Sequence, residues 1–533
     1  MRKVWGVVLA TVAGLVSLFA FSSQASATTF CVPAFSAACT DNGTNQARAL
    51  LSTAVTELGN DGQADKVIVA PGTLTESGSI SASGNDPLEI TGAGRDQTFV
   101  TTSATGNIFL LNSANRPGMK LSDLTLVVPA SFPDSGGNGA AAQIKSAELN
   151  RVDVEVRNSE SDVFASLLGN NVIRDMRIYA IEGAKVDWAF RSDSGTAAKT
   201  EIFGITIESP SYGFVVTEPN NRIEVSESAV IGPTSAGVWA SSGGQVILEN
   251  TLIETEGTSP ITASSTSNDP STVVSVVSST FISHVANSFP AIEVNVPASI
   301  TAGNVLTNIS SSIIRGFDET WDLSVPIGPG FPTATLNIGH SNFSPVAAPG
   351  SGGTANVSSP TNINLDPKFA GENDYRLLPD SPSIDTGNPA LTLTTDLIGE
   401  PRPRDGNLDG SSIPDQGAYE FQPTCATVPL VCVDEKAPKI SKVRFFSKPK
   451  SSSTVTCRVS EAAKVSFRFK PLARNSSKGK KPRFVKIVRQ AKAGKVRVKV
   501  SKRKLRPGRY RLTIVATDKA GNTSKATRKV RVK

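Results

Sequence analysis

Histidine and closely spaced cysteine, the residues from which structural zinc sites are built, are scarce in this sequence. The chain has 533 residues, of which two are histidine and five are cysteine. These seven residues are His284, His340, Cys31, Cys39, Cys425, Cys432 and Cys457. Because neither close cysteine pair has the short spacing of a zinc ligand pair, the sequence speaks against a zinc centre.

Long apolar runs are also scarce, and the one clear example lies at the start. Arg2 and Lys3 precede an apolar run over residues 4–21, and residues 25–27 supply the small side chains of a cleavage site. We therefore predict a signal peptide at residues 1–27, with a retained membrane anchor as the alternative. After cleavage the chain has no segment apolar enough to span a bilayer, so we predict a secreted protein.

Export sets the redox environment of the cysteines. Cys31 lies near Cys39 and Cys425 lies near Cys432, whereas Cys457 stands apart. Two small disulfide loops with one remaining thiol are the simplest prediction, although sequence alone leaves the connectivity open.

Between Asp123 and Phe343 no segment has the pattern of a long amphipathic helix, and short apolar runs take its place. Most of them alternate apolar with polar residues and are rich in Val, Ile and Thr, which predicts half-buried strands. These and two earlier runs are Leu88–Ile90, Leu121–Val127, Val152–Val156, Met176–Ile178, Ile205–Ile207, Ile223–Val225, Val246–Leu248, Val273–Val277, Ile313–Ile314 and Leu336–Ile338. Their recurrence at roughly 22 to 32 residues predicts one coil of a solenoid per repeat.

A chain of separate β-sandwiches is the rival architecture, because it would also contain many short strands. Hairpin dipeptides such as Asn-Gly are scarce between the runs, which favours the solenoid. Residues 44–58 predict a helix that caps its first coil. The apolar residues that fall on one stripe of this helix are Ala47, Leu50, Leu51, Ala54, Val55 and Leu58.

Two motifs after the predicted cap carry a family resemblance. Val67–Thr73 reads V-I-V-A-P-G-T, and Ile90–Thr98 reads I-T-G-A-G-R-D-Q-T. Together with the cap, they resemble the entry of right-handed parallel β-helix proteins of the pectate-lyase-like superfamily. The resemblance implies an all-β fold in which residues 28–360 form a right-handed parallel β-helix.

Residues 361–422 carry a second resemblance. Their motifs, in chain order, are Leu365–Phe369, Asp374–Gly387, Asp396–Pro403 and Asp415–Glu420. This series resembles the choice-of-anchor Q domain, which follows extracellular β-helices in many bacterial surface proteins. The resemblance implies that this segment closes the solenoid and that the protein lies at the surface of a bacterial envelope.

Calcium is the one cofactor that the sequence leaves open. Asp405, Asn407 and Asp409 alternate before Gly410 as in the first half of a calcium loop, with Asp415 as a further oxygen ligand. The second half does not fit an EF-hand. The alternative is an Asx-rich turn, in which the same side chains accept local backbone hydrogen bonds.

The charge of the chain is concentrated at its end. Residues 438–533 contain 19 Lys and 13 Arg against only Glu461 and Asp518, whereas the whole chain has a net charge of +7. Alternating strands and the turn-rich stretch 505–522 resemble bacterial Ig-like or fibronectin-type sandwiches, joined to the solenoid by a linker at 423–437. Alternation places Arg497 and Lys499 on the solvent face.

So much positive charge favours anionic envelope polymers as partners, bound by screened contacts that weaken with salt. A solvated face that only keeps the domain soluble is the alternative. Export and the lack of a recognition helix speak against a specific nucleic acid partner. The sequence leaves the oligomeric state open.

The outward face of the solenoid is the predicted place for polysaccharide contacts or catalysis. Its candidate side chains are Asp153, Glu155, Asp175, Arg177 and Glu208, and stacked strands bring carboxylates such as Asp153 and Asp175 into the range that glycoside hydrolysis needs. Arg174, Arg177 and Lys185 are candidate bases for a lyase. A solvated charged face gives the same pattern.

Two further absences weigh on this choice. The N-T-D, paired Asp and G-H-G elements of polygalacturonases are missing, and aromatic residues that stack on sugars, such as Tyr179, Trp188, Tyr212 and Trp239, are sparse. We therefore predict a structural or carbohydrate-binding protein of the cell surface. The alternative is a polysaccharide lyase or glycoside hydrolase.

Overall fold

The computed structural model describes residues 27–533 except 59–60, 83, 85, 105–106, 112–117, 132–139, 159, 165–166, 194, 267–269, 286–288, 327, 329–330, 350–351, 425–436, 449–451, 473–483 and 519–520. The chain folds into two compact units, Met1–Phe421 and Gln422–Lys533. The predicted signal peptide up to residue 26, most of the predicted linker and the cysteines Cys425 and Cys432 lie outside the described residues. No described helix is long and apolar enough to cross a membrane.

Eighteen strands of the first unit form one long sheet, called here the first sheet, whose pairings are parallel. They are Thr29–Val32, Gln46–Ala47, Asp65–Val69, Gly72–Glu76, Leu88–Thr91, Thr98–Thr102, Met119–Val128, Ala147–Val156, Asn170–Ala180, Lys199–Glu208, Arg222–Ile231, Gln245–Thr255, Thr272–Val277, Thr280–Ser283, Val305–Ser310, Ile313–Arg315, Ala334–Gly339 and Thr354–Asn356. All ten predicted apolar runs lie in these strands.

Ten strands form a second parallel sheet, called here the second sheet. They are Ile80–Ser81, Phe109–Leu111, Ala140–Ile144, Asp162–Phe164, Val186–Ser192, Pro210–Val216, Ala236–Ala240, Ser259–Ser264, Ile292–Asn295 and Trp321–Ser324. Because the chain passes from one sheet to the other and returns one strand further along, each circuit is one coil. The predicted right-handed parallel β-helix is confirmed.

A column of left-handed residues bends the first sheet into two faces. Register pairs the strands on both sides of this column and skips the column itself. Its members, all with φ between 47° and 66°, are Asp123, Arg151, Asp175, Gly204, Glu227, Asn250, Ser278, Ser311 and His340. Left-handed backbone disfavours residues with a Cβ, so stacking on the neighbouring coils must maintain this conformation. A coil therefore has three faces, two from the first sheet and one from the second.

The space between the faces is filled by apolar side chains from every coil. Phe164, Phe190 and Phe214 come from successive strands of the second sheet and stack with ring centroids 5.0 Å and 5.8 Å apart. All three are fully buried in one continuous hydrophobic core. The core accounts for the period-two pattern of the sequence, since only alternate residues of a strand point inward.

The predicted capping helix is shorter than the sequence suggested. The helix spans Leu51–Thr56, whereas Gln46–Ala47 form a strand that pairs with Thr29–Val32. Strand pairing overrides the helical pattern there because it gives the edge of the first coil backbone partners. Leu51 and Val55 are buried in the core as predicted.

The second unit is a small Ig-like β-sandwich with two antiparallel sheets. The front sheet contains Ile440–Phe446, Ser453–Val459 and Gly494–Val500, and the back sheet contains Val485–Ala491, Ala463–Pro471, Gly508–Thr517 and Thr523–Val532. Val496, Val498 and Val500 point into the shared core, whereas Arg497 and Lys499 are exposed.

The described cysteines have two different environments. Cys31 and Cys39 form a disulfide in the first coil of the β-helix. Cys457 is a free thiol buried in the core of the sandwich, and this burial raises its pKa to about 11. The first of the two predicted disulfide loops is therefore present, and the prediction for Cys425 and Cys432 is untested.

Candidate functional site

The β-helix brings the predicted carboxylates of its outward face together, but each is bound by an arginine or a tyrosine. Asp153 and Asp175 both accept hydrogen bonds from Arg95, at 3.0 Å and 2.7 Å from its guanidinium nitrogens. The backbone N–H of Arg177 also donates to Asp153 at 2.9 Å. Arg95 thus holds the two carboxylates in ion pairs.

The other predicted residues of this face are paired in the same way. Arg177 lies 2.8 Å from Glu208 and stacks 4.5 Å above the ring of Tyr179. Glu155 accepts a hydrogen bond from the Tyr179 hydroxyl at 3.0 Å and pairs with Arg157. Burial and Glu155 together raise the pKa of Tyr179 to about 12. On this face, therefore, each predicted acidic side chain lies beside an arginine.

The candidate lyase bases Arg174 and Lys185 have different surroundings. Lys185 pairs with Glu160 at 3.3 Å. Arg174 lies 6.0 Å from the ring centroid of Phe203 and lines a small cleft of about 210 Å³.

That cleft is lined by three carboxylates that the sequence did not single out, those of Glu201, Glu224 and Glu249. Glu224 is held by Arg222 at 2.6 Å and Lys199 at 3.1 Å. Burial raises the pKa of Glu249, and the charge of Glu224 adds to the effect. The cleft therefore holds two salt-bridged carboxylates, since Lys199 also lies 2.8 Å from Glu201, and a third whose pKa is raised.

The predicted calcium ligands accept hydrogen bonds from nearby backbone. Asp405, Asn407 and Asp409 accept from the N–H groups of Gly410, Asp409 and Ser411 at 2.8 to 3.0 Å. No group of three or more His, Cys, Asp or Glu suited to a metal occurs among the described residues.

Asp415, the fourth predicted calcium ligand, has different hydrogen-bond partners from the other three. It is 1% exposed and accepts from the N–H groups of Asp385 and Phe421 at 2.8 Å and 2.5 Å. Burial raises its pKa, and the neighbouring Glu420 adds to the effect. These contacts fit the Asx-turn alternative better than a shared ion, and calcium binding stays a prediction.

The front sheet of the second unit carries a cleft of about 860 Å³ lined by basic residues. The central strand supplies its floor, because Thr454 and Thr456 point outward with short side chains. Register places Thr456 between Arg444 and Arg497, and Thr454 between Phe446 and Lys499. Long basic side chains therefore rise on both sides of a low centre, and we call this surface the basic trough.

Seven cations line the basic trough: Lys442, Arg444, Lys448, Arg458, Lys495, Arg497 and Lys499. None of them forms an ion pair with an acid in the part of the unit that the structure describes. Phe446 adds an apolar ring that is 55% exposed. Like charges this close repel one another unless an anion lies between them.

Sequence reasoning found only part of this site. Alternation identified Arg497 and Lys499, which share one strand. The opposite wall with Arg444 could not be predicted, because the order of strands in an antiparallel sheet is set by long-range pairing rather than by local pattern.

The chain was compared with known proteins. No family model matches it, and no curated protein matches it. Among solved structures it is similar to the catalytic unit of the GH87 α-1,3-glucanase of Streptomyces thermodiastaticus strain HF3-3, with 12% identity and a TM-score of 0.36 over 59% of this chain and 65% of that chain. The chain thus spans slightly less than two thirds of that glucanase unit.

Two other similarities have comparable scores. The A-module of the mannuronan C-5 epimerase AlgE4 of Azotobacter vinelandii gives 14% identity and a TM-score of 0.29 over 56% of this chain and 91% of that chain. The enzymatically active domain of tailspike protein 2 of bacteriophage CBA120 gives 10% identity and a TM-score of 0.32 over 90% of this chain and 73% of that chain. None of these similarities assigns an activity to this chain.

Proposed function

We propose that this chain is a secreted β-helix protein of the bacterial cell surface, structural or carbohydrate-binding, which its basic sandwich attaches to anionic envelope polymers. The observation that carries the proposal is the basic trough, with seven cations around one cleft and no described acid to neutralise them. The cell-surface location rests on the predicted signal peptide at residues 1–27 and on the resemblance of residues 361–422 to the choice-of-anchor Q domain.

The shape of the basic trough suits a linear polymer rather than a compact anion. Outward side chains recur at about 6.8 Å along a strand, and the two flanking strands lie about 9.6 Å apart across the centre. A chain of phosphates or carboxylates lying over Thr454 and Thr456 would meet cations on both sides. Each exposed contact contributes little, about 0.2 to 1 kcal/mol, so attachment depends on many contacts at once.

The test measures binding of the full-length protein to polyglycerol phosphate, polygalacturonate and neutral dextran at rising sodium chloride concentration. We expect binding to both anionic polymers, with an affinity that falls steadily as salt screens the contacts. The combined change Lys495→Gln, Arg497→Gln and Lys499→Gln should weaken binding about tenfold, since three weak contacts are lost. Preference between the two anionic polymers distinguishes phosphate from carboxylate recognition.

The matched control makes the same change of charge on the back sheet, with Lys525→Gln, Lys529→Gln and Arg531→Gln. This control should bind within about twofold of the unchanged protein. Equal weakening by both sets would show that net charge, not the basic trough, drives binding. Affinity that persists at molar salt would contradict the electrostatic account.

An enzyme remains the second candidate, a polysaccharide lyase or glycoside hydrolase of the β-helix. The pairing of Asp153 and Asp175 with Arg95 disfavours the predicted face, and the cleft with Glu224 and Glu249 supports a hydrolase better. Register places these two residues on neighbouring strands, two positions apart, so their Cα atoms lie about 8 Å from each other.

In an inverting pair the two carboxyl groups lie roughly 6.5 to 9.5 Å apart, a separation that side chains at this Cα spacing can reach, and the raised pKa of Glu249 suits the acid. The same polymer panel tests this candidate. Release of reducing ends that Glu249→Gln abolishes would support it, and the absence of any cleavage product would reject it.

A further inference from the structure

Three large aromatic residues of the β-helix meet on the outside of the second sheet. The chain has four tryptophans. Trp5 belongs to the predicted signal peptide and Trp321 is buried in the core at 7% exposure. The other two, Trp188 and Trp239, meet Tyr212 in one surface cluster, called here the aromatic patch.

Three consecutive strands of the second sheet build this patch. The ring centroids lie 5.8 Å apart for Trp188 and Tyr212, 5.4 Å for Tyr212 and Trp239, and 6.1 Å for Trp188 and Trp239. All three rings are partly exposed, and none belongs to the hydrophobic core. The patch is therefore a second layer of side chains outside a core that is already filled.

Val215 shows that this outer layer covers the sheet closely. It lies between the core residues Phe214 and Val216, so it points away from the core, yet it is fully buried. Its neighbours in the register are Arg191 on one side and Trp239 on the other. Large side chains of the outer layer must close over it, which gives the patch a fixed, packed base.

Polar groups surround the rings. Arg191 lies 4.0 Å above the ring of Trp188 and 2.8 Å from Asp193. Asp162 is 7% exposed on the adjoining strand and lies close enough to Asp187 and Asp193 for both charges to act on it. Opposite Trp239 on the other side lies Thr262. Flat apolar faces thus stand beside carboxylates, a guanidinium and a hydroxyl.

This combination matches the chemistry of a neutral sugar chain. A pyranose has faces of C–H groups that pack against an aromatic ring, and hydroxyls at its rim that hydrogen-bond to carboxylates and guanidinium groups. The strands that carry the rings lie about 4.8 Å apart, close to the length of one pyranose ring. The carboxylates of Asp187 and Asp193 beside one arginine leave no excess of positive charge here, which disfavours an anionic polymer.

We propose that the aromatic patch of Trp188, Tyr212 and Trp239 is a binding site for a neutral polysaccharide. The site lies on the β-helix and recognises uncharged sugars, whereas the basic trough lies on the sandwich and recognises anionic polymers. The two sites are independent, and either can fail without the other.

The test uses the full-length protein and soluble neutral glycans, namely laminarin, mannan, amylose fragments and chitin oligosaccharides. Tryptophan emission is the direct readout, because Trp188 and Trp239 are the partly exposed tryptophans of the described chain. We expect at least one glycan to shift the emission and to protect it from acrylamide quenching. Trp239→Ala and Tyr212→Ala should each weaken that binding about tenfold, and Trp239→Phe should restore part of it.

Phe35→Ala, which removes an exposed ring elsewhere on the same unit, is the control and should bind normally. Thermal unfolding shows that each variant is folded. A glycan that binds at this site should raise the melting temperature of the unchanged protein more than that of Trp239→Ala. The triple variant of the basic trough should bind the glycan normally.

Three results would overturn the proposal. One is that no glycan in the panel changes the emission of the folded protein. Another is that Trp239→Ala binds as tightly as the unchanged chain. The third is that the protein is a dimer which Trp188→Ala and Trp239→Ala convert to monomers, since the rings would then serve contacts between copies of the chain.

Discussion

Arg95 decides the chemistry of the outward face of the β-helix. One guanidinium binds Asp153 and Asp175 on adjacent coils, so both carboxylates already have a partner. Ion pairs that are still partly open to solvent contribute little free energy. Their effect is on register and solubility, which agrees with a structural surface better than with a catalytic one.

The negative charge of Asp162 destabilises the folded protein. Burial, with help from Asp187 and opposed by Arg191, raises its pKa from 3.8 to about 7. Between pH 4 and pH 7 the folded protein keeps a proton that the unfolded chain has lost, so the free energy of unfolding falls as the pH rises through this range. Above pH 7 the effect is constant.

We predict that Asp162→Asn removes this decrease. Relative to the unchanged protein, the variant should gain on the order of 2 kcal/mol in free energy of unfolding between pH 4 and pH 8, below the full value for such a shift. Urea unfolding at several pH values measures it. Asp322→Asn, on the same sheet and partly exposed, is the control and should leave the slope unchanged; equal slopes for Asp162→Asn and the unchanged protein would contradict the prediction.

At the scale of elements, the short helix Leu51–Thr56 depends on a carboxylate from a strand. Leu50 provides no side-chain cap. Glu76 instead accepts hydrogen bonds from the N–H groups of Leu51 and Ser52 at 2.7 Å and 3.1 Å, and it is completely buried. A negative charge at these free N–H groups is favourable, because the helix N-terminus carries a partial positive charge.

We predict that Glu76→Gln destabilises the first unit by about 1 to 3 kcal/mol, because an amide NH₂ then faces a backbone donor. Chemical unfolding followed by tryptophan emission measures the loss. Glu57→Gln at the exposed end of the same helix is the control, with an expected change below about 0.5 kcal/mol. If both variants behaved alike, Glu76 would not be the cap.

Strands were the elements that the sequence predicted best. Each run such as Val246–Leu248 carries its own alternation, and the same alternation exposed Arg497 and Lys499. The helix was predicted too long, because its first residues pair with a strand. The bend column escaped prediction, since residues such as Arg151 and His340 have no preference for left-handed backbone and adopt it only when coils stack.

The aromatic patch escaped prediction for a similar reason. Trp188, Tyr212 and Trp239 are separated in the chain by more than twenty residues at each step, and only the lateral register of the coils brings them together. Their sparseness in the sequence counted against a role in stacking on sugars. Spatial concentration, which no local pattern reports, is what points to a site.

At the scale of the whole first unit, residues 361–421 run back along the β-helix to the coil of Glu227 and then turn towards later coils again. We call them the return segment. In chain order its hydrogen bonds join Ser383 to Asn342, Asn388 to Ser311, Thr395 to Glu227, Arg402 to Asn250 and Ala418 to Thr280. Three of these coil residues, Glu227, Asn250 and Ser311, belong to the bend column. The return segment thus joins the later coils, each of which contacts mainly its neighbours.

The buried ion pair of the return segment is the point at which this joining is most vulnerable. Arg402 donates to Glu420 at 2.7 Å, to Asn250 at 2.6 Å and to the carbonyl of Gly417 at 2.8 Å. Both side chains of the ion pair are completely buried. Loss of the arginine would leave the carboxylate of Glu420 buried without its partner.

We predict that Arg402→Ala lowers the free energy of unfolding of the first unit by about 3 to 5 kcal/mol. Tryptophan emission isolates this unit, because all four tryptophans precede residue 422, and circular dichroism follows both units. Arg376→Ala, which breaks an exposed pair with Asp374 in the same segment, is the matched control and should cost below about 1 kcal/mol. A tryptophan transition that Arg402→Ala leaves in place would mean that the coils hold together without the return segment. A large shift of the tryptophan transition would show that the return segment makes the coils unfold together. Contacts between neighbouring coils alone would then not account for the cooperativity of this solenoid.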